Sequence, residues 1–195
     1  MQKGSYLTTI LRSDKTVFTT KDIALLWHDP GTSATRVRLN YYVKKGDLYR
    51  IRKGLYAKSR NYNLLELATR IFTPSYVSFE TVLAKEGLIF QYYNKIFVAS
   101  YLTREIMVDQ QTYTYRKMKA EVLMDTIGIE HVSETSIATK ERAFLDSLYV
   151  NADYQVDNLR SLIWEKVFEI LPIYNNQRMT KKVNRFHKQV LNQSS

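Results

Sequence analysis

Apolar positions recur at helical spacing in three short segments near the start of the chain, and they predict helices over residues 5–12, 21–27 and 33–45. Residues 16–19 are β-branched or aromatic and predict an extended link between the first two helices. Residues 28–31 combine proline and glycine and predict the turn before the third helix. Suitable N-caps are Thr19 or Thr20 for the second helix and Thr32 or Ser33 for the third.

The third helix has an apolar side and a basic side, and Gly46 follows it as a stop signal. At 100° per residue, Leu39, Tyr42 and Val43 lie together on the side to be buried, with Thr35 nearby. The opposite side carries Ala34, Val37, Arg38, Tyr41, Lys44 and Lys45, with Arg36 and Asn40 on the flanks. This helix therefore offers donors for a ligand on one side while it packs with the other.

Residues 46–59, GDLYRIRKGLYAKS, alternate in polarity and predict a two-stranded ribbon whose turn contains Gly54. Glycine permits the positive φ that a tight hairpin needs. The alternation places Tyr49 and Ile51 on one face and Leu48, Arg50 and Arg52 on the other. Three helices, with a tight turn before the third and a ribbon after it, are typical of a winged helix-turn-helix, which we assign to residues 1–60.

The remaining residues, 61–195, predict a mixed α+β domain with a small sheet and C-terminal helices, so the fold class is α+β. Predicted helices cover 62–72, 79–86 with Ser78 as cap, 140–149 with Thr139 as cap, 157–171, and a basic segment from about 176. Predicted strands cover 76–77, 96–101, 105–108 and 111–116, and residues 121–123 and Ile137 are possible edge strands. Arg142 and Asp146 form an i,i+4 pair of the weak surface kind, worth a few tenths of a kcal/mol.

Charge is segregated along the chain, whose net charge is +10. Residues 1–60 contain 13 lysines and arginines against 4 acidic residues, residues 61–175 carry a net charge of −4, and residues 176–195 carry +5. A basic module on an acidic body is typical of polyanion binding, whereas the alternative is a generally basic soluble protein. No cysteine is present, and no apolar run is long enough to span a membrane, so we expect a cytoplasmic protein.

The third helix and the ribbon supply the candidate DNA contacts. Arg38 suits a guanine edge, Asn40 an adenine edge if the helix is rolled toward it, and Val37 a thymine methyl group. The candidates for phosphates are Ser33, Lys44 and Lys45 of the helix and Arg50, Arg52 and Lys53 of the ribbon. Arg36 and Tyr41 complete the set of DNA-binding candidates. A second candidate patch is the tail, with Arg178, Lys181, Lys182, Arg185 and Lys188. The alternative for the third helix is a solvated helix face, and the alternative for the tail is a frayed, solvated helix.

Catalysis is not indicated, and we expect no enzyme activity, no metal and no cofactor. His28, His131 and His187 are far apart in sequence and lack ligand spacing. Neither a nucleophile elbow, a zinc-protease helix motif nor a phosphate-binding glycine loop is present. The alternative is an enzyme that acts on nucleic acid and uses the basic domain to bind it.

Three motifs in order resemble the AbiEi-type antitoxin family over roughly residues 5–150. The ribbon resembles that family's wing, PSYVSFETVLAKEGLI (74–89) its Pro-x-Tyr-Val-Ser helix start, and ATKERAFLDSLYV (138–150) its Ala-Thr-x-Glu-Lys-Ala-x-Leu-Asp signature. Lys140 stands where proline is common and Arg142 where lysine is common, and both suit a helix start.

The resemblance implies an antitoxin of a type IV toxin–antitoxin, abortive-infection system used in phage defence. The N-terminal domain would bind inverted repeats in double-stranded DNA at the protein's own promoter and repress it, as a monomer or weak dimer that binds cooperatively. The C-terminal domain would counteract a nucleotidyltransferase-type toxin without need of a stable complex. The alternative function is a stand-alone winged-helix repressor with a dimerisation or effector domain.

Overall fold

The computed structural model describes residues 3–29 and 33–193. Its N-terminal elements are α1 (Lys3–Arg12), β1 (Val17–Thr19), α2 (Thr20–Leu26), α3 (Ser33–Lys45), β2 (Tyr49–Arg52) and β3 (Leu55–Ala57). The predicted order of helices and ribbon is confirmed. Thr19 caps α2 in a capping box with Asp22. The Thr19 hydroxyl accepts from the backbone N–H of Asp22, and the Asp22 carboxylate accepts from the backbone N–H of Thr19. The predicted Thr32 cap, and the Pro30-Gly31 half of the turn, lie outside the described residues.

Both predicted glycine positions have positive φ. Gly46 follows α3 with a φ of 81°, and Gly54 turns the ribbon with a φ of 82°. The three short strands form one antiparallel sheet in the order β1-β3-β2. A bulge interrupts the alternation between Arg50 and Arg52, so that Arg52 lies opposite Leu55.

This wing sheet is covered on both faces. Its helix side contributes Phe18, Leu48 and Tyr56 to a core with residues of α1, α2 and α3, such as Ile10, Trp27 and Leu39. Its other side contributes Val17, Ile51, Leu55 and Ala57 to the large core of the rest of the chain. Tyr49 and Ile51 share that second side as predicted, and Leu48 faces the helices. The wing sheet is therefore a shared wall between the two hydrophobic cores.

The rest of the chain is mixed α+β, as predicted. It runs α4 (Leu64–Ile71), β4 (Ser75–Val77), α5 (Glu80–Lys85), β5 (Lys95–Ser100), β6 (Arg104–Val108), β7 (Gln111–Lys117), α6 (Ala120–Met124), β8 (Ile129–Val132), β9 (Thr135–Ala138), α7 (Lys140–Val150), α8 (Trp164–Ile170), a 3-10 turn (Leu171–Tyr174) and α9 (Gln177–Gln193). A six-stranded mixed sheet has the order β6-β7-β5-β4-β9-β8. The sheet is larger than the sequence predicted, since β8 was missed.

Three local predictions were wrong. Residues 121–123 form part of α6 rather than a strand edge, and the helix predicted over 157–171 begins only at Trp164. Ser78 does not cap α5; its hydroxyl instead donates to the Asp146 carboxylate at 2.7 Å, and Phe79 occupies the cap position. The hydrogen bond to a buried carboxylate is charge-assisted, and it holds the Ser78 side chain toward Asp146.

Arg142 and Asp146 are buried completely, so the predicted weak surface pair was wrong. Their Nε and Oδ1 atoms lie 3.3 Å apart, and the guanidinium also donates to the carbonyls of Val122 and Ile127. The carboxylate accepts from the hydroxyls of Ser78, Tyr76 and Tyr174. Burial raises the pKa of Asp146, and the Arg142 charge and the three hydroxyl donors offset part of that effect. In this chain the 138–150 motif thus encodes a buried polar cluster rather than a surface site.

Ion pairs and hydrogen bonds cross the wall between the two cores. Glu66 of α4 is buried and accepts from the backbone N–H groups of Thr16 and Val17 at 2.9 and 3.2 Å. Arg70 of α4 pairs with Glu134 at 2.8 Å and with Asp22, the capping residue of α2, at 3.5 Å. The helix-turn-helix is therefore fixed to the second part through its own caps and strands.

Candidate nucleic-acid interface

The outward side of α3 is polar and has an apolar centre. Thr35, Leu39 and Tyr42 are buried as predicted, and Val43 is half-buried. The exposed residues are Ser33, Ala34, Arg36, Val37, Asn40, Tyr41, Lys44 and Lys45. Val37 is 67% exposed and lies beside Asn40 and Lys44 on the helix surface, so these three mark the centre of the exposed side. The helix is thus rolled so that Asn40, predicted on a flank, faces outward.

Arg38 lies at the edge of this side and already has partners. Its Nη1 atom is 2.8 Å from the Asp29 carboxylate in the turn before α3. Its guanidinium lies over the ring of Tyr6 in α1, 4.6 Å from the centroid. The predicted contact between Arg38 and a guanine stays untested, and in the free protein this side chain connects α3 to the turn and to α1.

The wing carries exposed positive charge at and beside its turn. Arg50, Arg52 and Lys53 are all exposed. Within residues 3–29 and 33–193, none of the three forms an ion pair, and Arg36 and Lys44 of α3 form none either. By contrast, Lys45 pairs with Asp47 at 3.2 Å. The unpaired charges lie on α3 and the adjoining wing, where a polyanion would neutralise them.

The base of the wing is attached to the second part of the chain. The Tyr49 hydroxyl of β2 donates to both carboxylate oxygens of Asp109, at 2.9 and 3.0 Å. The Tyr62 hydroxyl donates to the same carboxylate at 2.7 Å. Asp109 lies in the turn between β6 and β7, with a φ of 47°. The hydrogen bond to Asp109 raises the pKa of Tyr49. The pKa of Tyr62 is raised mainly by burial and also by its own hydrogen bond to Asp109. Both tyrosines therefore stay neutral donors that hold β2 to the β6–β7 turn.

The basic tail forms α9, a helix packed on the body by one side. Met179 and Val183 are buried, and the Phe186 ring lies 6.1 Å from that of Phe144. Lys182 donates to the carbonyl of Ala152, so it is partly engaged. The other four basic residues are exposed: Arg178, Lys181, Arg185 and Lys188. Among the described residues, α9 is a continuous helix from Gln177 to Gln193 rather than a frayed one. The predicted contact of the tail with DNA stays untested.

Sequence reasoning missed the residues that hold Arg38 and the base of the wing in place. Asp29, Asp109 and Tyr6 have no motif of their own, and their roles depend on contacts from other elements. Asp29 did carry a signal, because an acid in the turn before a basic helix lies within reach of that helix. Asp109 carried none, since it is 60 residues from Tyr49 in sequence.

One family model matches the segment that contains this surface. Residues 5–57, from α1 to β3, match the family described as "Transcriptional regulator, AbiEi antitoxin". This is the family suspected from the sequence, and the match includes the ribbon motif, whereas the motifs at 74–89 and 138–150 lie beyond it. For the AbiEi-type segment, the description supports a DNA-binding antitoxin, and a transcriptional regulator implies DNA as a ligand. No curated protein matches the chain.

Among the described residues, no helix has the length and apolar character needed to cross a membrane. Within the same residues, no group of three or more His, Cys, Asp or Glu side chains is placed to hold a metal ion.

Proposed function

We propose that this protein is an antitoxin that binds its own promoter and represses it through α3 and the wing. The observation that carries the proposal is the surface made by exposed, unpaired Arg36, Lys44, Arg50, Arg52 and Lys53 within the segment that matches the AbiEi regulator family. An α-helix flanked by a basic ribbon fits the major groove with the ribbon on the phosphates. Inverted repeats are what the family resemblance implies, and an operator of that symmetry would bind two molecules.

The DNA half of the proposal is tested by binding to the duplex upstream of the gene that encodes this chain. We expect protection of an inverted repeat, and repression of a reporter driven by that promoter. Because exposed charges provide the affinity, binding should weaken steeply as salt rises. Binding to that duplex no tighter than to random DNA would refute the DNA half.

In the second half of the proposal, the body counteracts a nucleotidyltransferase-type toxin encoded beside it. Its support is the 74–89 and 138–150 motifs, since the family match ends at residue 57. Co-expression with the neighbouring gene product should restore growth that the toxin alone prevents. Growth arrest that persists despite soluble expression of this chain would refute the antitoxin half of the proposal. In a separate test, the purified protein should turn over neither DNA nor RNA.

A second candidate function is a stand-alone repressor whose body binds an effector. A cleft of about 320 Å³ lies between the β8–β9 hairpin and the starts of α7 and α8, and Lys140 and Lys166 are among its lining residues. The same hairpin carries Glu134, which pairs with Arg70 and, at 3.4 Å, with Lys15. A ligand in the cleft could thus bias contacts that reach Asp22 of α2. Repression without any toxic neighbouring gene would favour this function.

A further inference from the structure

Arg38 connects three elements of the helix-turn-helix. It extends from α3, pairs with Asp29 in the turn after α2 at 2.8 Å, and covers the Tyr6 ring of α1 at 4.6 Å. The Asp29 side chain is only 12% exposed, whereas that of Arg38 is 37% exposed. A charge-assisted bond to a mostly buried carboxylate, together with a cation–π contact, restrains a long side chain that would otherwise be mobile.

Tyr6 is itself fixed, so the contact with Arg38 is made to a rigid partner. The Trp27 indole N–H donates to the Tyr6 carbonyl at 2.8 Å, and the two rings meet edge to face with centroids 5.2 Å apart. Trp27 in turn lies 6.2 Å from the Tyr42 ring of α3. Arg38 therefore completes a cluster that sets the angle of α3 against α1 and the turn.

The Arg38 guanidinium has its Nη1 atom engaged by Asp29 and one face covered by the Tyr6 ring, so its side chain is directed toward the turn and α1. Arg36 and Asn40 have no such constraint: both are exposed, and neither forms a hydrogen bond or ion pair with the described residues. They are four residues apart, so they lie on one side of α3 about 6 Å apart along its axis. Arginine suits the guanine edge and asparagine the adenine edge in the major groove.

We propose that Arg38 is a positioning residue, held by Asp29 and Tyr6, and that Arg36 and Asn40 discriminate between bases. The proposal rests on the DNA-binding function proposed above. It assigns the preferred site a guanine opposite Arg36 and an adenine opposite Asn40, within a few base pairs of each other. Val37 is exposed beside Asn40 on the helix surface, where a thymine methyl group would meet it.

The test selects binding sites from randomised duplexes with the full-length chain and its variants. Arg36→Ala and Asn40→Ala should each abolish the preference at one base pair, a loss of about 5- to 150-fold between the best base and the others. Asp29→Asn and Arg38→Gln should instead weaken binding to every sequence alike and leave the selected site unchanged. Because the two residues act as one unit, the double variant should bind no more weakly than either single variant.

A charge exchange separates positioning from a merely structural loss. Asp29→Arg with Arg38→Asp restores the ion pair with its direction reversed, and the exchanged protein should regain most of its affinity with the same selected site. A base-reading role for Arg38 predicts the opposite, because an acidic side chain cannot donate to guanine. Circular dichroism of each variant checks that it is folded.

The outcomes also separate this proposal from the DNA-binding function. If wild-type protein enriches a site and Arg38→Gln erases the preference at one base pair, the assignment of positioning to Arg38 is overturned while DNA binding stands. If Arg36→Ala and Asn40→Ala leave every base preference intact, the assignment of reading is overturned. If wild-type protein enriches no site, the proposed DNA function falls, and this proposal falls with it.

Discussion

Neutralising the wing tip, by Arg52→Ala with Lys53→Ala, should weaken DNA binding in a way that depends on salt but not on sequence. Both side chains are exposed at the turn of the ribbon, and neither forms an ion pair with the described residues. The pair is therefore free to approach phosphates, and its removal leaves the buried residues of the wing in place. Phosphate contacts position a protein on DNA without reading its bases.

The magnitude follows from counterion release. Each neutralised phosphate contributes about 0.9 to the slope of log affinity against log salt, so two contacts contribute about 1.8. Between 50 and 200 mM salt, wild-type protein should thus lose about 12-fold more affinity than the variant does.

Fluorescence anisotropy of a labelled promoter duplex, titrated at several salt concentrations, measures the slope directly. Lys117→Ala with Lys119→Ala is a matched control, because it removes two exposed lysines near the end of β7, outside the AbiEi-type segment. The control should leave the slope unchanged. A wing variant with the wild-type slope would refute the placement of the wing on phosphates. A changed base preference in that variant would refute the claim that the wing contacts phosphates without reading bases.

Three further predictions concern stability and the tail. Asp146→Ala should lower the free energy of unfolding by about 3–5 kcal/mol in urea, because the buried Arg142 charge is left uncompensated, and combining it with Arg142→Met should recover part of that loss. The pKa of Asp22 is lowered even though burial acts to raise it, since its bonds from Thr19 and its contacts with nearby cations outweigh burial. Its contribution to stability is therefore full above about pH 4 and lost as pH falls through the lower folded pKa, and the gap between wild type and Asp22→Asn in thermal unfolding should close there. Neutralising the exposed basic residues of the tail should flatten the salt slope of DNA binding, and an unchanged slope would show that α9 does not contact DNA. The residues to be changed are Arg178, Lys181, Arg185 and Lys188.

The tail prediction requires substitutions rather than truncation, and the structure supplies the reason. Removing the chain after Tyr174 would delete Met179 and Val183 from the core and uncover their partners. A loss of DNA binding would then report unfolding as readily as a lost contact. Changing only exposed charges keeps the packed side of α9 intact.

Local patterns determined most of the N-terminal elements in advance. The Thr19 cap, the glycine stop at Gly46 and the turn at Gly54 depend on residues within a few positions of each other. Helix and turn chemistry of this range is visible in a sequence. The buried and exposed sides of α3 could be assigned in outline, but the contacts of Arg38 with Asp29 and Tyr6 come from other elements and were not predicted.

Long-range partners explain the remaining differences. Ser78 has the chemistry of a cap, yet it bonds to Asp146, 68 residues away. Arg142 and Asp146 have the spacing of a surface pair, and only the fold shows that tyrosines and carbonyls surround them. The double coverage of the wing sheet was equally invisible, because alternation cannot say what covers each face.

The measurement that tests the central claim most directly compares the full-length chain on two duplexes at physiological salt. One is the promoter DNA upstream of its own gene, and the other is a scrambled duplex of equal length and composition. We predict that the promoter is bound at least about 10³-fold more tightly, and that Arg36→Ala with Asn40→Ala removes most of this difference. Equal affinity for both duplexes, or an undiminished difference in the double variant, would contradict the account.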